Sequence, residues 1–259
     1  MNSVPENLKP ALTTLLLALA DDKLLLGHRN SDWTGLGPIL EEDIAFSHLA
    51  QDEMAHAQAI YELVGQLTAR SADELAFGRK PDEYRSACIV EVPDEFDWAT
   101  ALVRRFFCDH FDALRLERMS SSSWTPLAHL SRRILDEEKL HVEHVDGWIL
   151  RLGRGSKESH DRMQKALDSL APEATWLFEP FDGLKGLVDA KIYPGSDFTM
   201  ADAWTSDLQR VAGNSGLKVQ IEFGSPETKG GRRGVHTPHL KALLDEMCEV
   251  WRMEPGAAW

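Results

Sequence analysis

Four segments within the first 152 residues carry apolar side chains at intervals of three and four, the period of a helix with one buried face. The first stripe reads Leu8, Leu12, Leu15, Leu19, Asp22, Leu26, and the second Ile39, Phe46, Leu49, Glu53, His56, Ile60, Leu63. The third reads Trp98, Leu102, Phe106, Asp109, Ala113, Leu116, and the fourth Leu127, Leu130, Ile134, Glu138, His141, Val145, Trp148. Pro38 opens the second helix, Pro93-Asp94 precedes the third, and Thr125-Pro126 is a cap-plus-proline start for the fourth.

An excursion from about Leu67 to Pro93, with a β-like patch at Ala87 to Val92, separates the second and third helices. Such a crossover joins the two helix pairs of a four-helix bundle that lacks the simple up-down-up-down connection. After Gly153 the pattern loosens. It predicts a helix over 157–170, another near 200–212, an extended piece at 218–223, a Gly-rich loop at 229–234 and a last helix opened by Thr237-Pro238. The expected fold is all-α: one domain, with a core bundle over about 5–152 and a helical appendage over about 157–259.

Each stripe is broken by an acid, and two of these acids are followed three residues later by histidine: Glu53-Met-Ala-His56 and Glu138-Lys-Leu-His141. Residues i and i+3 share a helix face, so each pair can grip one ion. The layout repeats. Glu53 to Glu138 and His56 to His141 are each 85 positions, and Asp22 to Asp109 is 87. A carboxylate from each of two helices, plus Glu-x-x-His from each of two others, is the donor set of a ferritin-like di-iron or di-manganese bundle. The expected ligands are therefore Asp22, Glu53, His56, Asp109, Glu138 and His141, with Asp21 and Asp112 as alternates for the two aspartates. Iron is the expected metal, two ions, with manganese as the other option. A lone Glu-x-x-His is common on exposed helices. Two copies on core faces differ, because buried carboxylates without a counter-charge cost several kcal/mol each.

Composition narrows the partners. A formal net charge of −14 repels a phosphate backbone, which argues against nucleic acid. The one basic cluster, Lys229 to Arg233, reads as a solvated loop or, through Arg232 and Arg233, as a contact for phosphate groups or an acidic partner patch. Cys88, Cys108 and Cys248 lack metal or disulfide spacing. The apolar run Leu15 to Ala20 is too short for a bilayer, so a cytoplasmic, membrane-free protein is expected. Trp33 and Tyr84 read equally as ordinary packing or as lining for a channel or a subunit interface, and His48, His144, His236 and His239 read as surface, core or capping residues.

The stretches "DDKLLLGHRNSDWTG" (21–35), "EEDIAFSHLAQDE" (41–53), "DELAFGRKPDEYR" (73–85), "DGWILRLGRGS" (146–156) and the tail "GGRRGVHTPHLKALLDEM" (230–247) resemble the bacterial phenylacetyl-CoA epoxidase family, specifically its C-type component. The resemblance implies a ferritin-like bundle within a multisubunit monooxygenase of phenylacetate degradation. It implies a catalytic A-type subunit as partner, a separate electron-donating reductase and a CoA thioester substrate. In that family the A-type component carries the di-iron centre, whereas the C-type component has lost most ligands and supports it. This sequence departs from that pattern, since "QDEMAH" and "EEKLH" stand intact. The expectation is thus an epoxidase component with a carboxylate-bridged di-iron site. The alternatives are a non-catalytic component that supports the A-type subunit, a homodimer, or a stand-alone ferritin-like metal-binding protein.

Overall fold

A computed structural model describes residues 4–195, 197–224 and 230–254, so Lys229 and the closing Trp259 lie outside it. Among the described residues the chain is helical, without a β-strand; a single isolated bridge joins Gly230 and Val235. The helices are α1 (Lys9–Ser31), α2 (Leu40–Thr68), α3 (Ala72–Phe77), α4 (Cys88–Glu91), α5 (Trp98–Met119), α6 (Thr125–Gly153), α7 (Lys157–Ala174), α8 (Leu184–Asp189), α9 (Asp197–Asn214), α10 (Pro238–Met247) and α11 (Glu249–Met253). They form two compact units, one built on α1 to α4 with α10 and α11, the other on α5 to α9.

In the first unit α1 and α2 make a hairpin. Leu12, Leu16, Leu19 and Leu25 of α1 and Phe46, Ile60 and Val64 of α2 are essentially inaccessible. Gly27 lets the two helices touch: a Cβ there would stand 3.1 Å from Glu53 Cβ and 3.2 Å from the Ala50 carbonyl oxygen. Trp33, in the connection, packs edge-on against Phe46 at 6.4 Å. Helix α2 starts two residues after Pro38, which leaves Ile39 outside the helix and 46% exposed. It ends at Ala69, whose left-handed φ of 59° closes the last turn onto Gly65.

The patch from Ala87 to Val92 is not β-like. It forms the single turn α4, and Ala87, Cys88, Ile89, Val90 and Glu91 are all buried. A half-buried strand would alternate buried and exposed side chains. Consecutive burial instead follows from Glu91, whose carboxylate turns inward to accept from Ser86 Oγ at 2.9 Å and from the backbone and hydroxyl of Thr237, each at 2.8 Å. His236 Nδ1 lies 2.7 Å from the same carboxylate, and its Nε2 donates to the Tyr84 carbonyl at 3.1 Å. Tyr84 is fully buried, with its hydroxyl donating to the Ala76 carbonyl.

The tail is threaded between these elements. Gly231 has no room for a side chain, since a Cβ would fall 2.2 Å from the Ser86 carbonyl oxygen. Gly234 has φ +86° and is equally tight against Asp82. This geometry turns Arg232 inward. It is 3% exposed, donates twice to Asp22 at 2.8 and 2.7 Å, and also donates to the Arg85 carbonyl at 2.7 Å. Arg232 is therefore an internal clamp and no contact for CoA phosphates or a partner surface; Arg233 beside it is exposed.

In the second unit α5 and α6 form the hairpin, with α7 and α9 packed on both. Asp97 caps α5 through the amides of Ala99 and Thr100. Phe107, tilted, and Phe178, edge-on, pack against Trp204 of α9 at 5.8 and 5.2 Å, and the Trp204 indole donates to the Phe107 carbonyl. Helix α7 extends past the expected 170 to Ala174 and carries Pro172 inside it. The piece at 218–223 is irregular and pairs with no strand. The Gln164 side-chain amide on α7 serves Lys218 instead, exchanging two hydrogen bonds of 2.9 Å with its backbone.

Arg232→Ala strips a buried carboxylate of its partner and is expected to destabilise the chain by about 3–5 kcal/mol. Chemical denaturation measures this, and Arg233→Ala at the exposed neighbour is expected to stay within about 1 kcal/mol of wild type.

Candidate functional site

The six expected ligands are all buried, between 0% and 3% exposed. The helix stripes therefore aim them inward as expected. What the periodicity did not disclose is the company they keep.

On α1 the adjacent acids Asp21 and Asp22 point to different partners. Asp21 takes Arg79 in a two-pronged pair and also accepts from Tyr61 Oη at 2.5 Å and the Arg85 amide at 2.6 Å. Burial first, and then the neighbouring Asp21 charge, push the Tyr61 phenol well above its ordinary pKa, so it remains a donor. Burial works against the Arg79 charge, but Asp21 and then Tyr61 outweigh it and raise its pKa. Asp22 gives one oxygen to the Ala87 amide at 2.8 Å and meets Arg232 with both.

On α2 Glu53 is 0% exposed, and its Oε2 lies 2.9 Å from Lys23 Nζ, also 0% exposed. His56 follows one turn later on the same face, 3% exposed.

In the other unit, Asp109 pairs with Arg105 one turn back on α5 at 2.7 Å, both fully buried. Asp112, the alternate for Asp109, pairs with Arg115 at 2.6 Å, and that guanidinium lies 4.7 Å over the Phe111 ring. On α6 Glu138 and His141 sit one turn apart, with 3.8 Å between His141 Nδ1 and Glu138 Oε2. His110 on α5 is held by Asp146 at 2.8 Å.

The fit to a two-metal donor set is therefore partial. Glu53 with His56, and Glu138 with His141, have the residue types, burial and i,i+3 spacing that an ion needs. The four aspartates do not. Asp21, Asp22, Asp109 and Asp112 each meet an arginine, a group that stays charged in proteins and presents its donors in a fixed fork. A carboxylate so engaged is not offered to an ion. The expected ligands Asp22 and Asp109, like their alternates, thus have arginine partners in this geometry, and Glu53 has a cation in Lys23.

Lys23 and Arg105 are the residues that reading the stripes missed. Lys23 falls on the series Leu16, Leu19, Lys23, Gly27, which faces α2, and Arg105 stands i,i+4 from Asp109. Counting basic residues on core faces as carefully as acidic ones would have found both.

A family model described as "Phenylacetic acid catabolic protein" matches residues 1–259. Among curated proteins, the chain is similar to the C-type component of the 1,2-phenylacetyl-CoA epoxidase of Escherichia coli (strain K12). The two are 28% identical over 249 residues, covering 96% of this chain and 99% of that protein. Since the match spans the chain from end to end and the described residues have the all-α character of this ferritin-like family, the chain belongs to the phenylacetic acid catabolic protein family.

Proposed function

We propose that this chain is a C-type component of a phenylacetyl-CoA epoxidase assembly and acts as the helical framework that supports a catalytic A-type subunit. The partner brings the oxygen chemistry, a separate reductase brings electrons, and the CoA thioester is substrate of the assembly. The observation that carries this reading is the set of protein-borne counter-charges: Lys23 on Glu53, Arg105 on Asp109 and Arg232 on Asp22. A divalent ion placed beside an ammonium repels it. At about 4 Å and an effective dielectric of about 20, the cost is roughly 8 kcal/mol. An interior already neutralised in this way needs no metal to fold.

A second reading, a di-iron centre, is favoured by one observation: both Glu-x-x-His pairs are intact and buried, where a pure framework has no need of the histidines. In that case Glu53, His56, Glu138 and His141 would hold the metal, which would supply dioxygen activation. Lys23 and Arg105 would have to withdraw. With no described helix long and apolar enough to cross a membrane, neither reading calls for one.

Two measurements decide between them. After anaerobic reconstitution with ferrous iron, the framework reading expects far less than one iron per chain, and Glu53→Ala is expected to leave epoxidation by the assembled complex unchanged. Close to two irons per chain, lost in Glu53→Ala together with activity, would overturn it. Lys23→Met, which leaves Glu53 alone in an apolar interior, is expected to cost about 3–5 kcal/mol in denaturant titration. Much of that loss should return in Lys23→Met/Glu53→Leu, and a double-mutant cycle measures the coupling. In a di-iron protein Lys23→Met would instead raise iron uptake without that loss of stability.

A further inference from the structure

A second group of ligand types lies away from the Glu-x-x-His faces, within the unit built on α1 to α4, α10 and α11. His28 is in the last turn of α1, and Asp32 caps that helix one turn later on the same side. Glu246 comes from the last turn of α10. One donor atom from each of the three lies within 4.8 Å of the other two. The His28 Nε2 is buried, yet meets no hydrogen-bond partner among the described residues. A buried ring nitrogen in that condition is costly, so this imidazole carries a demand that a bound ligand can relieve.

We propose that His28, Asp32 and Glu246 bind a single divalent transition-metal ion of the zinc class, which fastens the end of α10 to the end of α1. One imidazole and two carboxylates carry a charge of −2 when the imidazole is neutral, which one divalent ion cancels. The nitrogen donor disfavours calcium and magnesium, which prefer oxygen throughout, and the absence of thiolate disfavours the softest ions. Three protein ligands with a water in the fourth position make an ordinary zinc geometry. Bonds of about 2.1 Å set tetrahedral ligands roughly 3.4 Å apart, so any donor pair standing wider than that draws in on binding. Glu246, which is exposed, has the rotamer freedom to make that movement.

Arg29 borders the cluster, 3.9 Å from Asp32, and directs its other terminal nitrogen to the Glu91 carbonyl at 2.7 Å. Asp245, next to Glu246, is taken by Lys241 and by Arg252, the latter at 2.8 Å, and these bonds hold its carboxyl below the usual range. The start of the tail is already clamped by Arg232 on Asp22 and by His236 on Glu91. An ion at Glu246 secures the same segment at its far end.

Zn2+ titration of the full-length, metal-stripped chain, followed by competition with a chromogenic chelator, tests this. One tightly bound Zn2+ per chain is expected, with a Zn2+-dependent rise in Tm. His28→Ala and Glu246→Gln are each expected to weaken binding at least tenfold, since even indirect supports of a metal site are worth about 10- to 100-fold. His141→Ala, in the Glu-x-x-His pair of α6, is expected to leave the affinity unchanged, which separates this site from the Glu-x-x-His pairs. Glu246→Gln, on an exposed side chain, keeps the test informative if His28→Ala fails to fold. Wild-type affinity in Glu246→Gln, or loss of Zn2+ binding through His141→Ala alone, overturns the proposal.

Discussion

A carboxylate taken out of water must be given a counter-charge, and most of the polar architecture of this chain follows from how that demand is met. In the unit built on α1 to α4, the two adjacent acids of α1 are the organising pair. Asp21 collects Arg79, Tyr61 and the Arg85 amide, while Asp22 collects the Ala87 amide and Arg232. The excursion between α2 and α5 and the C-terminal tail thus dock on the same two residues. Neither segment has a long apolar face of its own, so hydrogen bonds to buried charge do the positioning that packing does elsewhere. Glu91 repeats the device one layer on, gathering Ser86, His236 and Thr237.

The unit built on α5 to α9 meets the same demand locally. Arg105 and Asp109, or Arg115 and Asp112, stand a turn apart on one helix, and Arg104 reaches back to Asp94 at 3.2 Å ahead of the cap. The first two pairs lie within one helix. Their effect is to let α5 carry charge on a buried face while Phe106, Phe107 and Phe111 supply the apolar contacts around it. The two units therefore share a pattern of acids at matching sequence positions but pair it differently: one with remote segments, the other with arginines on the same buried helix face.

Most of the helical architecture was legible because an amphipathic helix writes its buried face as a period, and the four stripes correspond to α1, α2, α5 and α6. The patch at 87–92 was misread because β-branched residues in a row look alike in a strand and in a fully buried turn, and only the inward carboxylate of Glu91 distinguishes them. Among the candidate ligands, burial was legible and pairing was not. Arg232 lies 210 positions from Asp22, and no local rule predicts which of the basic residues returns to a given acid. Lys23 and Arg105 were within reach of the same periodicity that exposed the acids. A stripe read only for acids and histidines shows ligands without their neutralisers.

The choice of cation at each acid carries a further consequence. At Asp22 and Asp109 the partner is a guanidinium, which keeps its proton; Arg232 meets both oxygens of Asp22, whereas Arg105 reaches one oxygen of Asp109 through one terminal nitrogen. At Glu53 the partner is an ammonium, a single charged point on a flexible stem that can surrender a proton. The donor set is thus closed most firmly at its aspartates and least firmly at the Glu-x-x-His of α2. In the proposed framework role, that gradation places the protein's own cations beside the acids that a metal-binding bundle would use as ligands.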